Sequence, residues 1–359
     1  MLTRGLSVSA SKNNMIDNLV RKNVKNLKPY ASARSLYQEG VFFDANENAL
    51  GSTVTVPDVP DLNRYPDPKS ADLRKAIAAY VGVDPAQVFV GNGSDEAIDL
   101  LIRVFVEPNE AVIIVEPTYG MYKVAAETAG VEIRPWPLTG SFQLDLSSLG
   151  TVSAGAKLIF SCSPNNPTGN LLPIEDVRGL CSKFKGIVVL DEAYIEFASQ
   201  PSLAEKVREI ENLVVLRTFS KAWGLAGIRV GYAIAHPKVI GYMDRIKAPY
   251  NLGRVSAALA QRALKNKDDM LRMRERILAE RLRVARELKE VNFNVFESEA
   301  NFLLVQYPGM SKIATILAEE YGLIIRDFSG RERLEDCARI TIGTPEQNDR
   351  LVETLKKIV

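Results

Sequence analysis

The chain has 359 residues, 46% hydrophobic and 25% charged, enough apolar mass for large buried cores and about two domains. Its 45 basic and 44 acidic side chains leave a formal charge of +1, so no global field favours nucleic acid or an anionic membrane. Three scattered cysteines and one histidine argue against a disulfide framework, a metal cluster and any nucleophile–histidine mechanism not built on His236, which sits before Pro237 in a turn-like stretch.

Residues 1–40 read as a solvated N-terminal arm, in which Arg4, Lys12, Arg21, Lys22, Lys25, Lys28 and Arg34 face only Asp17 and Glu39. That arm lacks the apolar core of a secretory signal, and no run reaches the roughly 20 apolar residues of a membrane span. A cytoplasmic protein with no membrane partner is expected. Between residues 87 and 235, short β-branched runs alternate with helical patterns, the signature of an α/β fold with a mainly parallel central sheet covered by helices. The expected strands are 88–90, 111–115, 131–136, 157–161, 187–190, 213–218 and 229–235. Residues 41–255 are assigned to this large domain. Residues 256–359 are assigned to a smaller C-terminal α/β domain, completed by part of the arm. It opens with a charged helix over 268–290, whose interleaved Glu275, Glu280, Glu287 and Glu290 favour a solvated face over a nucleic-acid surface. Strands at 302–306, 323–326 and 338–342 and a helix over 312–321 follow.

Ligands of such sheets gather beyond the carboxyl ends of the strands, and the unusual residues of this chain lie in those loops. Thr218-Phe219-Ser220-Lys221 ends one strand, with Arg229 eight residues after the lysine: an amine placed there could form an imine beside a bound phosphate. A plain surface lysine is the alternative for Lys221 alone. Asp191-Glu192-Ala193-Tyr194 brings a carboxylate and a phenol to the same edge, and Asp191 beside a pyridine nitrogen would keep that ring protonated. A helix cap or a magnesium ligand is the alternative, though no Walker-type glycine loop accompanies it. Ser163-Pro164-Asn165-Asn166-Pro167-Thr168-Gly169 is a rigid polar turn, from which Asn166 could donate to the ring's phenolic oxygen. Gly91-Asn92-Gly93-Ser94-Asp95-Glu96 leads from a strand into a helix, offering backbone N–H groups and a helix dipole to an anion.

Together these segments resemble the fold-type I aminotransferases over nearly the whole chain. That resemblance implies pyridoxal 5'-phosphate joined covalently to Lys221, with Asp191 on the ring nitrogen and Asn166 and Tyr194 on its phenolic oxygen. It implies Tyr119 of Pro117-Thr118-Tyr119-Gly120-Met121-Tyr122 stacked on the ring, and Gly93, Ser94, Asp95, Thr218, Ser220 and Arg229 around the cofactor phosphate. A homodimer follows from it, with Tyr65 of Asn63-Arg64-Tyr65-Pro66-Asp67-Pro68 reaching the neighbouring site. Arg339 resembles the family's carboxylate clamp, as a planar guanidinium suits a bidentate carboxylate.

Within the family, Leu27-Lys28-Pro29-Tyr30, Asp44-Ala45-Asn46-Glu47-Asn48, Arg64-Tyr65-Pro66 and Arg326-Asp327-Phe328, with Arg339 thirteen residues after Arg326, look like the histidinol-phosphate aminotransferase branch. The implied substrates are histidinol phosphate and 2-oxoglutarate, held by Tyr30, Asn48, Arg326 and Arg339. Gly253-Arg254 and Ala49-Leu50 depart from the residues usual in that branch. A threonine-phosphate decarboxylase, an aromatic amino-acid aminotransferase and a noncatalytic cofactor-sensing protein are the competing readings.

Overall fold

Near-continuous apolar runs need cover on both faces, and the computed structural model, which describes residues 36–37, 39–54, 59 and 62–359, provides it. In chain order, the first part comprises β1 (Val41–Phe42), α1 (Ala71–Val81), β2 (Val88–Asn92), α2 (Gly93–Phe105), β3 (Ala111–Glu116), α3 (Met121–Ala129) and β4 (Glu132–Pro137). Then come β5 (Ala156–Cys162), α4 (Ile174–Lys183), β6 (Ile187–Asp191), β7 (Leu213–Thr218), β8 (Val230–Ala235), α5 (Pro237–Ile246), α6 (Arg254–Lys265) and α7 (Lys267–Glu290). The C-terminal part holds β9 (Asn294–Val295), β10 (Phe302–Gln306), α8 (Met310–Tyr321), β11 (Leu323–Ile324), β12 (Arg326–Asp327), β13 (Cys337–Thr341) and α9 (Pro345–Ile358).

Seven strands form one sheet in the order β2-β8-β7-β6-β5-β3-β4. Alternate side chains of each strand enter different cores: Val214 and Leu216 of β7 pack with Ala97 and Leu101 of α2, whereas Leu213 and Val215 join the opposite cluster with Phe197 and Val207. Neighbours from β7 through β4 run parallel, and β8 is antiparallel to both β7 and β2. That reversal matters for chemistry. The connection from β7 to β8 leaves and returns at one edge of the sheet, so Thr218, Lys221 and Arg229 share the edge where β2, β3, β5 and β6 also end. Gly231 permits the closure: a Cβ there would lie 2.2 Å from the Ser94 nitrogen, so only glycine lets β8 pass the start of α2.

The C-terminal sheet is antiparallel, in the order β12-β13-β10-β9. One expectation changes here. The run at 323–326 is not a single strand: Leu323 and Ile324 pair in parallel with Val41 and Phe42, while Arg326 and Asp327 pair with Arg339 and Ala338. Leu323 and Ile324 are buried and Asp327 is exposed, so the segment passes from core to rim within a few residues and serves two sheets. Residues 41–42, read from sequence as the start of the large domain, thus pair with the C-terminal layer. His236 caps α5, its Nδ1 accepting from the Lys238 N–H at 3.2 Å.

Candidate active site

Asp191 ends β6 fully buried, its Oδ2 accepting from the Tyr122 hydroxyl at 2.8 Å and its Oδ1 from the Ala193 N–H at 3.0 Å. Both donors are neutral, and among the described residues no ion pair to this carboxylate is present. Burial raises its pKa to about 6, against the pull of those hydrogen bonds. Lys221 is the counterpart. Its Nζ donates to the Ala45 carbonyl at 2.9 Å and lies 5.7 Å from the centre of the Tyr194 ring. Burial, and next the charge of Arg339, lower its pKa to about 8. About a quarter of such a lysine is the neutral nucleophile at pH 7.5, against roughly one part in a thousand for an ordinary one.

These two groups line one cavity of about 430 Å³, within the range of small-molecule sites. Its edge nearest β8 is an anion cradle. The first-turn N–H groups of α2 have no acceptor within their own helix, and Ser94 and Asp95 stand there with Thr218, Ser220 and Arg229. Thr218 Oγ1 donates to Ser220 Oγ at 2.9 Å, and Arg229 Nη1 to Ser220 Oγ at 3.5 Å. Arg229 Nη2 meets Asp95 Oδ2 at 3.3 Å, while the Tyr119 hydroxyl donates to Asp95 Oδ1 at 3.2 Å. Gly93, at φ +71°, makes room for this arrangement, because a Cβ would stand 2.8 Å from Arg229 Nη2.

Across the cavity, Tyr194 accepts from Asn46 Nδ2 at 2.9 Å, and burial pushes its phenol pKa well up, keeping it a neutral hydrogen-bond donor. Asn166 accepts from Arg339, whose other Nη donates to the Asp44 carbonyl. Arg326 and Arg339 are direct cross-strand partners, and both line the cavity. Like charges directly opposite one another destabilise a sheet, so this pair breaks a local folding rule at a place where a ligand anion would repair it.

Of the residues singled out from sequence, Lys221, Asp191, Tyr194, Gly93, Ser94, Asp95, Tyr119, Asn166, Thr218, Ser220, Arg229, Arg326 and Arg339 meet around this one cavity. Asn48 does not. Its amide donates to the Ala222 carbonyl at 3.0 Å and its oxygen accepts from the Leu50 N–H at 3.0 Å, so a side chain expected on substrate ties two loops together instead. Tyr65 lies outside this chain's cavity, 78% exposed and stacked on Tyr250 at 4.7 Å. The departure at Arg254 now has a contact, since its Nη2 donates to the Tyr65 carbonyl at 3.0 Å. Tyr30 falls outside the described residues. Sequence reasoning gave no role to Tyr122, Asn46, Phe328 or Arg331. Asn46, Phe328 and Tyr122 did lie within segments the sequence singled out, whereas Arg331 lay in none.

A partly neutral buried lysine and a buried acid with no ion-pair partner among the described residues share a cavity with a hydroxyl-rich anion cradle, a donor set that fits a phosphorylated pyridine carrying an aldehyde. The model of the family "Aminotransferase class I and II" matches residues 44–355, and the chain belongs to that family. Pyridoxal phosphate is the cofactor this membership implies. The histidinol-phosphate aminotransferase of Cytophaga hutchinsonii is 43% identical over 350 residues, covering 95% of this chain and 98% of its own. That of Parabacteroides distasonis is 43% identical over 349 residues, covering 96% and 99%. Among solved structures, the histidinol-phosphate aminotransferase from Sinorhizobium meliloti in complex with pyridoxal-5'-phosphate matches with a TM-score of 0.84 at 25% identity, covering 94% of this chain and 96% of that one. Among the described residues no helix is long and apolar enough to cross a membrane.

Proposed function

We propose that the chain transfers the amine of histidinol phosphate to 2-oxoglutarate in histidine biosynthesis, using pyridoxal phosphate joined covalently to Lys221. The observation that carries the substrate assignment is the facing pair Arg326 and Arg339 in the cavity wall, two guanidiniums set for an anion remote from the reacting amine. The names of the relatives at 43% identity agree with it.

When bound, the cofactor supplies an electron-poor ring that draws off the electron pair left as the substrate's Cα–H bond breaks. Asp191, which has no ion-pair partner among the described residues, would favour a protonated ring nitrogen. Asn166, Tyr194 and Tyr119 would hold the ring, and Ser94, Thr218, Ser220 and Arg229, which line the same cavity, would hold the phosphate. With that group in place, Lys221 Nζ would be the base that takes the substrate's Cα proton, since burial lowers its pKa to about 8, near the working pH. Arg339 receives the donor's phosphate in one half reaction and a carboxylate of 2-oxoglutarate or glutamate in the other. We further propose a homodimer in which Tyr65, exposed and stacked on Tyr250, serves the second subunit's site, and we propose Tyr30 as a ligand of the substrate phosphate. We assign the enzyme to the cytoplasm.

The test is purified protein with histidinol phosphate and 2-oxoglutarate, read out as glutamate formed. Glutamate production with parallel-line kinetics is expected. Carbon dioxide release from threonine phosphate without glutamate would replace this reading with a decarboxylase.

A further inference from the structure

Three guanidiniums, not two, stand at the substrate end of the cavity. Arg331 lines it together with Arg326 and Arg339, although it belongs to neither strand that carries them. A tight turn puts it there: the Arg331 N–H donates to the Phe328 carbonyl at 2.9 Å, folding the side chain back so that its Cζ lies 4.9 Å from the centre of the Phe328 ring. The same ring holds Arg339, whose Cζ lies 5.7 Å from its centre. One buried aromatic therefore fixes two cations relative to each other, each gaining from the ring's negative face. A second cavity, of about 640 Å³, adjoins the first, and Arg326 and Arg331 line both. Arg331 is exposed on this shared wall, whereas Arg339 is buried.

We infer that Arg331 is a specificity-determining residue that reads the second negative charge of a phosphate-bearing amine donor, an inference that rests on the substrate assignment above. A carboxylate offers one charge and two oxygens, which Arg326 and Arg339 can match. A phosphate monoester near neutral pH carries between one and two charges on three terminal oxygens, leaving an oxygen and part of a charge for a third guanidinium. A cation at the rim contributes to capture and to salt sensitivity, so its effect falls on KM.

The experiment measures kcat and KM for histidinol phosphate over a range of ionic strength in the wild-type holoenzyme, Arg331→Ala and Arg331→Lys. Arg331→Ala should raise KM about tenfold, leave kcat within about twofold, and flatten the rise of KM with salt. Arg331→Lys should restore most of the salt dependence, because a point charge suffices for capture. The inference is overturned if Arg331→Ala keeps the wild-type KM and salt slope. It is also overturned if both variants lose kcat in parallel, which would mark a structural role. A wild-type enzyme that turns over no histidinol phosphate overturns the substrate assignment as well, which separates that failure from this one.

Discussion

The floor and the mouth of the cavity are built on different principles. At the floor, Asp191 and Lys221 sit at or just beyond the ends of buried parallel strands, and Tyr122, on the first turn of α3, braces Asp191. At the mouth, Arg326 stands on a short segment shared between two sheets and Arg331 on the turn that follows it, partly and wholly exposed respectively. The contrast separates two tasks. On the proposed function, the groups that would act on every substrate are fixed by the core, whereas two of the three guanidiniums that would distinguish substrates are carried by more loosely packed chain.

Changes at the floor should therefore damage every half reaction alike, beginning with the largest effect. Lys221→Ala should lower kcat by about 10³-fold or more with either amine donor and abolish the visible absorbance of the lysine-bound cofactor. Lys221→Arg should be no better, since a guanidinium is never neutral near pH 7. Wild-type turnover in either variant would break the contrast at its root.

Asp191→Asn should come next, with kcat lower by about 10²-fold from losing the charge that holds the ring proton. Its second effect has the opposite sign. The folded pKa of Asp191, near 6, lies above that of an ordinary aspartate, so this group favours the cofactor-free fold fully below about pH 4 and loses that contribution as pH rises through 6. At pH 7.5 cofactor-free Asp191→Asn should thus be more stable than wild type by up to about 3 kcal/mol in urea unfolding, with the gain vanishing toward pH 4. A variant less stable at every pH would show the carboxylate to be a structural rather than a functional group.

The same division decided what the sequence made readable. Alternating burial on two faces and polar loops at one edge are local signals, so the seven strands of the large sheet and the positions of Lys221, Asp191 and Asn166 were legible. The mouth was less so. The run 323–326 is apolar up to its arginine, and nothing in its period says that Leu323 and Ile324 pair with Val41 and Phe42 while Arg326 faces Arg339. Asn48 was hard to read for a related reason: an asparagine's type fits a ligand contact or a loop tie equally well, and its bond to the Ala222 carbonyl appears only in the structure. Arg331 gave no signal because its place depends on a turn closing over Phe328.

The smallest effect is the finest test of how far the floor is tuned. Tyr122 stacks on Phe160 at 5.0 Å with its plane inclined by 9°, a contact that phenylalanine would keep, while its hydroxyl gives Asp191 one of two hydrogen bonds. Tyr122→Phe therefore removes a buried donor to a charged acceptor with little change in packing, at a cost of roughly 2 kcal/mol to the ionised form. Because this hydrogen bond holds the Asp191 pKa down, its loss should move the acid limb of kcat/KM to higher pH by about 1.5 units. Activity should then be lower by about an order of magnitude on the acid side of that limb and closer to wild type near pH 9. A uniform loss across the whole range, with the limb unmoved, would mean that Tyr122 only fills space and that the Ala193 N–H alone sets the acid.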